Sequence, residues 1–293
     1  PAEADTLFER PGEDTKPNPW YFIGGAGFVA VSLTVGLSEI AYGQEIIFAG
    51  SLTIVLLLMR QLVAVLPVAQ ARTLIGTALI VFIFRATPRP GDGYTWFSID
   101  ELGFDQQFLS ILSLITSMLT LVGMVILRPL MANNSIVWIV VALTVAGGVL
   151  SLPNIGLYYG VQEVTAALTG GVVDARFIAI LDTAIESPLG QIAMIPMLAW
   201  IARNAPDDLK ATFFAVMASF TNLALSAGSL LTKYLNQVFV VTREVTDPET
   251  GAVTTPADYS QLGLLLIVVT AITVAAPLLA VALVQRSRLR SVD

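Results

Sequence analysis

Seven stretches of this chain are apolar for about as long as a membrane is thick, and no other feature limits its fold so tightly. They run from Trp20 to Ala41, Ile46 to Leu66, Phe108 to Leu127, Ile136 to Leu157, Phe177 to Ile201, Ala211 to Leu235 and Leu262 to Val284. A helix of about 20 apolar residues crosses the roughly 30 Å hydrocarbon layer. Composition agrees: 55% of the residues are hydrophobic and only 13% charged, where soluble domains carry about 25% charged residues. The expected class is an all-α integral membrane protein.

An eighth crossing is interrupted. Thr73 to Phe84 is apolar but short, and Arg85 to Gly93 breaks the pattern before Tyr94 to Ile99 resumes it. An outer loop is one reading. A broken helix is preferred, because Thr73 to Ile99 would span about 40 Å as helix, which puts the break near mid-membrane. Pro88, Pro90, Gly91 and Gly93 cannot sustain a regular helix. Such backbone is tolerated at depth only against protein or a water-filled cavity.

Lys and Arg placement over eight crossings gives the orientation. Arg10, Lys16, Arg60, Arg72, Arg128, Arg203, Lys210, Arg286, Arg288 and Arg290 fall on one side, and only Arg176 and Arg243 on the other, among many acids. The positive-inside rule then makes both termini cytoplasmic, in a cell membrane, with a bacterial inner membrane the leading reading. Residues 1–19 are polar, start with Pro rather than Met and lack the pattern of a signal peptide; they read as a cytoplasmic loop of a longer protein. The expected organisation is that loop, a transmembrane hairpin over 20–66, a six-helix unit over 73–285 and a basic cytoplasmic tail over 286–293.

Cysteine and histidine are absent, which removes thiolate chemistry, the usual zinc ligands and histidine proton relays. No metal or cofactor is expected, and no nucleophile and base pair suggests an enzyme. A net charge of -7 argues against nucleic acid. Proton handling would fall to carboxylates. Asp182 and Glu186, four apart in one span, share a helix face and should turn to a cavity or a cation, since a bare carboxylate in lipid is costly. They are the expected proton-coupling pair. Arg85 and Arg89 suit an anionic ligand, as guanidinium stays charged and can hold a carboxylate with two hydrogen bonds. Asp92 would neutralise one of them, and Tyr94 and Trp96 would hold a ligand ring. Gln191 and Asn222 are further polar candidates, and Lys233 would pair with Asp182 or Glu186, outward snorkelling being the alternative. Gly147 and Gly148 read as helix packing.

At these residues the sequence resembles the folate-biopterin transporter family of the major facilitator superfamily. The resemblance rests on Phe84-Arg-Ala-Thr-Pro88, Asp100-Glu-Leu-Gly-Phe104 with Phe108, Asp182 with Gly190-Gln-Ile and Pro196, Ala211-Thr-Phe-Phe-Ala215, and Asn222-Leu-Ala. It implies a major facilitator-type bundle in which Thr73 to Val284 supplies the C-terminal six-helix half, the N-terminal half lying outside this chain. The hairpin before it is either the last pair of that half or an insertion between halves, with insertion preferred. The resemblance also implies that Asp182 and Gln191 are the family's acidic and amide residues, whereas Glu186 and Lys233 match no family pattern. Arg85 stands where other members can carry an uncharged polar residue. The expected function is proton-coupled transport of an anionic aromatic molecule such as a folate or pterin. A muropeptide or drug permease, or a non-transporting membrane receptor, are the alternatives.

Overall fold

The computed structural model describes residues 19–38, 40–129, 134–189 and 210–290. Most of the helices start where a short polar side chain or a proline stands ahead of an apolar run. Asp105, Ser135 and Asp174 each accept a hydrogen bond from a first-turn amide, of Phe108, Trp138 and Phe177, satisfying donors that a helix leaves open. The helices are α1 Pro19–Leu37, α2 Gly43–Ala64, α3 Val68–Arg85, α4 Asp92–Asp100, α5 Gln106–Ile126, α6 Ile136–Leu150, α7 Leu152–Tyr158, α8 Val161–Thr169, α9 Ala175–Glu186, α10 Lys210–Val238 and α11 Leu262–Arg286. A short hairpin, β1 Val245–Thr246 with β2 Val253–Thr255, lies between α10 and α11.

Contacts divide the chain into residues 1–49 and 50–293. In the first unit Gly36 approaches the Ile47 side chain across a turn in which Tyr42 has φ +62°. In the second, α11 packs along α3 and α6, α10 along α3, and α9 along α5. Leu74, Ile80 and Val81 of α3, Val140 of α6 and Leu265 of α11 are fully enclosed. The outward faces are apolar as well: Leu121, Val125 and Ile126 of α5 are 63%, 76% and 66% exposed. So much exposed apolar surface, on helices whose backbone bonds close internally, belongs in lipid. This is a multi-pass membrane protein.

The broken helix is present, with one correction. The helix before the break, α3, begins at Val68, directly after Pro67, and not at Thr73. Its 18 residues up to Arg85 rise roughly 27 Å, so the part before the break is not too short to cross. The break packs on α10, where a Cβ added to Gly228 would lie 2.8 Å from the carbonyl oxygen of Thr87. Gly228 is about 27 Å along α10 from Lys210 and about 15 Å short of Val238. The break is therefore inside the span but displaced toward the end where α10 finishes.

At that end Arg243 pairs with Asp100 at 2.7 Å and Arg176 with Asp105 at 3.0 Å, and the Tyr259 hydroxyl donates to Asp100 at 2.6 Å. The cations that the sequence set apart on an acidic side are thus gathered there with their acids. At the opposite end the carbonyl of Leu289, beyond Arg286 and Arg288, lies against Gly76 of α3.

Candidate functional site: a cavity beside the helix break

Two prolines and one glycine shape the site. Pro88 and Pro90 have no amide to continue α3, and Gly91 turns the chain with φ +80° into α4. The groups released by the break find partners on α10: the amide of Arg89 donates to the Thr232 hydroxyl at 2.8 Å, and the Asn236 side-chain amide donates to the Pro90 carbonyl at 3.2 Å. A helix interrupted inside a membrane span is tolerated on these terms.

The break leaves a cavity of about 620 Å³, within the usual size range of small-molecule sites. Four helices line it with polar or small side chains. These are Thr144, Gly147, Ser151 and Asn154 on α6 and α7, Gly228, Ser229 and Thr232 on α10, and Thr270 and Thr273 on α11. Arg85 and Arg89 enter from the break and Glu186 from the end of α9. The stripes on α6 and α11 were not singled out in the sequence, although Thr144, Gly147, Ser151 and Asn154 recur every three or four residues. Gly147 therefore opens the cavity, whereas Gly148 packs, with Val274 where its Cβ would be.

Asp182 sits behind the wall, 7% exposed. The Tyr94 hydroxyl donates to Asn154 Oδ1 at 2.6 Å, and Asn154 Nδ2 donates to Asp182 Oδ2 at 3.1 Å. One asparagine thus ties the broken helix, α7 and α9 together. Asn154 was missed, although an amide after Pro153 within an apolar span is itself a signal. Among the described residues two buried atoms around the cavity lack partners besides Asp182 Oδ1: Arg85 Nε and Thr144 Oγ1.

Several expected site residues fall elsewhere. Tyr94 is engaged by Asn154 and packs beside Phe97, and does not line the cavity. Trp96 is half-buried away from it, and Asp92 is exposed and pairs with neither Arg85 nor Arg89. Asn222 is exposed one turn nearer Lys210 than the first α10 residue of the cavity, Leu225. Lys233 does not line the cavity, and its ammonium lies 5.7 Å from the Tyr234 ring. Gln191 lies outside the described residues.

Comparison with known proteins follows the same lines. The sequence model of the BT1 family matches residues 28–293. The chain is 30% identical over 179 residues to a folate-biopterin transporter of Synechocystis, covering 60% of this chain and 35% of that protein. It is 24% identical over 165 residues to folate transporter 2 of Plasmodium falciparum, covering 54% of this chain and 33% of that one. The matched stretch is thus about a third of the length of these curated relatives. No solved structure matches the chain. The family match takes in all of the cavity and every helix after the first, and so this chain belongs to the BT1 family, the folate-biopterin transporters of the major facilitator superfamily.

Proposed function

We propose that this chain forms the C-terminal half of a secondary transporter for anionic, folate-like aromatic molecules, and that the cavity beside the helix break is its share of the binding site. Arg85 carries the proposal. It is a permanent cation on the wall of a cavity within a membrane span, and its buried Nε–H has no acceptor. An uncompensated guanidinium at such depth is costly unless a ligand or water meets it, and it suits a carboxylate better than a cationic drug. Arg89, on the same wall, would take a second carboxylate. The names of the relatives point to folates.

Coupling is assigned to Asp182, with Glu186 as its link to the cavity. Asp182 is held by Asn154 out of direct reach of a ligand, while Glu186, four residues further along α9 on the same face, stands on the cavity wall. Occupancy of the cavity and protonation of Asp182 would then be felt by each other. A second half of the transporter would close the exposed side, as transporters of this architecture bind between halves near the midplane. The end carrying Arg72 and Arg286 would face the cytoplasm.

The test is uptake of labelled folate and biopterin by the intact transporter in proteoliposomes, with and without an imposed acid-outside gradient. Accumulation above equilibrium only with the gradient is expected. Uptake indifferent to the gradient removes the coupling, and no uptake of either compound removes the substrate class.

A further inference from the structure

Far from the cavity, the end of the molecule where α11 finishes is shaped around a single glycine. Gly76 lies inside α3, where glycine weakens a helix. Its missing side chain makes room for two groups: the Val284 side chain, 3.0 Å from where a Cβ would stand, and the carbonyl of Leu289. Ser287 brings Leu289 there. Its hydroxyl donates to the Val284 carbonyl at 2.8 Å and accepts from the Leu289 amide at 3.0 Å, so the chain leaves α11 in a built turn and crosses α3 as a strap. Leu289 is half-buried, while Arg286, Arg288 and Arg290 stay exposed.

The strap comes down one helical turn from Arg72, which is exposed as well. Neither α3 nor α11 contains an Asp or Glu, and among the described residues none of these four arginines has an ion-pair partner. Beneath them the surface turns apolar. Arg72, Ile75 and Leu79 follow at helical spacing on one exposed face of α3, and Arg286, Leu283 and Leu279 on one exposed face of α11. Counted at about 100° per residue from the touching pair Gly76 and Val284, the two rows fall on the same side, because α3 and α11 run in opposite directions. The helix pair thus carries cations at its end and an apolar strip below them.

We propose that the strap and Arg72 bind the phosphate of one anionic phospholipid, whose acyl chains lie along Ile75, Leu79, Leu279 and Leu283. Charge and shape select the same occupant. Guanidinium groups hold phosphate oxygens with paired hydrogen bonds, and basic groups between helices at a membrane surface favour anionic headgroups. A soluble anion would meet the arginines but leave the apolar strip bare. A neutral lipid would cover the strip but leave the arginines unmatched.

Native mass spectrometry of the intact transporter tests this, with dioleoyl phosphatidylglycerol, dioleoyl phosphatidylcholine and water-soluble glycerol phosphate each added to the detergent-purified protein. The wild type should retain phosphatidylglycerol over phosphatidylcholine by about tenfold or more, as several arginines near one headgroup allow, and should not retain glycerol phosphate. Arg72→Gln combined with Arg288→Gln should remove most of that preference, and Arg72→Lys combined with Arg288→Lys should keep part of it. Both side chains are exposed, so melting in phosphatidylcholine should be unchanged, which separates loss of the site from loss of the fold. Arg128→Gln, at the same end but following α5, which packs along α9, should keep the full preference. A fall with Arg128→Gln as large as with the double variant would mean that bulk charge and not this site attracts the lipid. Retention of glycerol phosphate would assign the arginines to a soluble anion, and equal retention of the two lipids would remove the site; either result overturns the proposal.

Discussion

At the acidic end, charged groups meet one another in the open; in and behind the cavity wall, Arg85 and Asp182 keep buried polar atoms unmatched. Asp100 receives Arg243 and the Tyr259 hydroxyl, and Asp105 receives Arg176, which also stacks 5.2 Å from the Phe108 ring. In and behind the cavity wall, Arg85 Nε, Thr144 Oγ1 and Asp182 Oδ1 have no partner among the described residues. The order is the reverse of what stability alone would choose, since an exposed ion pair contributes little and an unmet polar atom in a dry interior costs much. The first region reads as a clasp that holds loops to helix ends, and the second as a site kept open for a guest. Each variant below breaks or sharpens that contrast.

The largest effect is expected at Asp182. Asp182→Asn keeps the shape and can still bond to Asn154, but it cannot take and release a proton. Gradient-driven accumulation should fall by about a hundredfold or more, in line with loss of a proton-transfer group, while counterflow at equal pH persists and the protein reaches the membrane. Accumulation that continues in response to the gradient would assign coupling to another group.

Gly228 comes next, because it sets how closely the break approaches α10. Its Cβ would meet a backbone carbonyl, that of Thr87, which cannot swing aside as a side chain would. Gly228→Ala should cost about 1–3 kcal/mol of stability by overpacking, and Gly228→Val more. Transport should fall with it, as the shifted break carries Arg85 and Arg89. Ser229→Ala, one residue on, lines the cavity without such a contact and should leave the melting temperature unchanged. Equal melting losses for the two would show that the break tolerates displacement.

Asn154 follows. Asn154→Ala removes the donor to a buried carboxylate and the acceptor of Tyr94 together, at about 1–3 kcal/mol for a buried group left unpaired. Tyr94→Phe removes only the outer bond and should cost less. If the two cost the same, the bond to Asp182 is not the stronger link. How much of this was visible in the sequence differs between fold and site. Apolar runs as long as a bilayer leave few alternatives, so the spans from Ile46, Phe108, Ile136, Ala211 and Leu262 were legible, while that from Phe177 to Ile201 lies partly outside the described residues; legible too was that Arg176 and Arg243 share one end. The break was legible from Pro88, Pro90 and Gly91, but the start of the helix before it was not, because the polar Gln70 and Arg72 masked the true start of α3 at Val68. In the site, charge drew attention and hydroxyls did not. Such hydroxyls as Thr144, Ser151, Thr270 and Thr273 are common in membrane helices and gain meaning only when α6 and α11 turn them toward one space. A charge inside a span, such as Lys233, announces itself but does not say which way it points.

The smallest effect belongs to the clasp. The hydrogen bond from Arg243, then that from Tyr259, holds the Asp100 carboxyl below the usual carboxylate range. A carboxyl depressed on folding contributes its stability in full above its unfolded value, about 4, and loses it as pH falls through the lower folded value. Between pH 5 and 8 the clasp is therefore constant, and Arg243→Ala should lower the melting temperature by an amount near the error of the measurement, with counterflow unchanged because Arg243 lies away from the cavity. Below about pH 4 the wild type gives up what the variant has already lost, so the two melting curves should converge. A gap that widens toward low pH would mean that Arg243 holds something other than the Asp100 carboxylate. A loss of counterflow in the variant would mean that clasp and cavity act as one device, and the contrast between the two regions would fall.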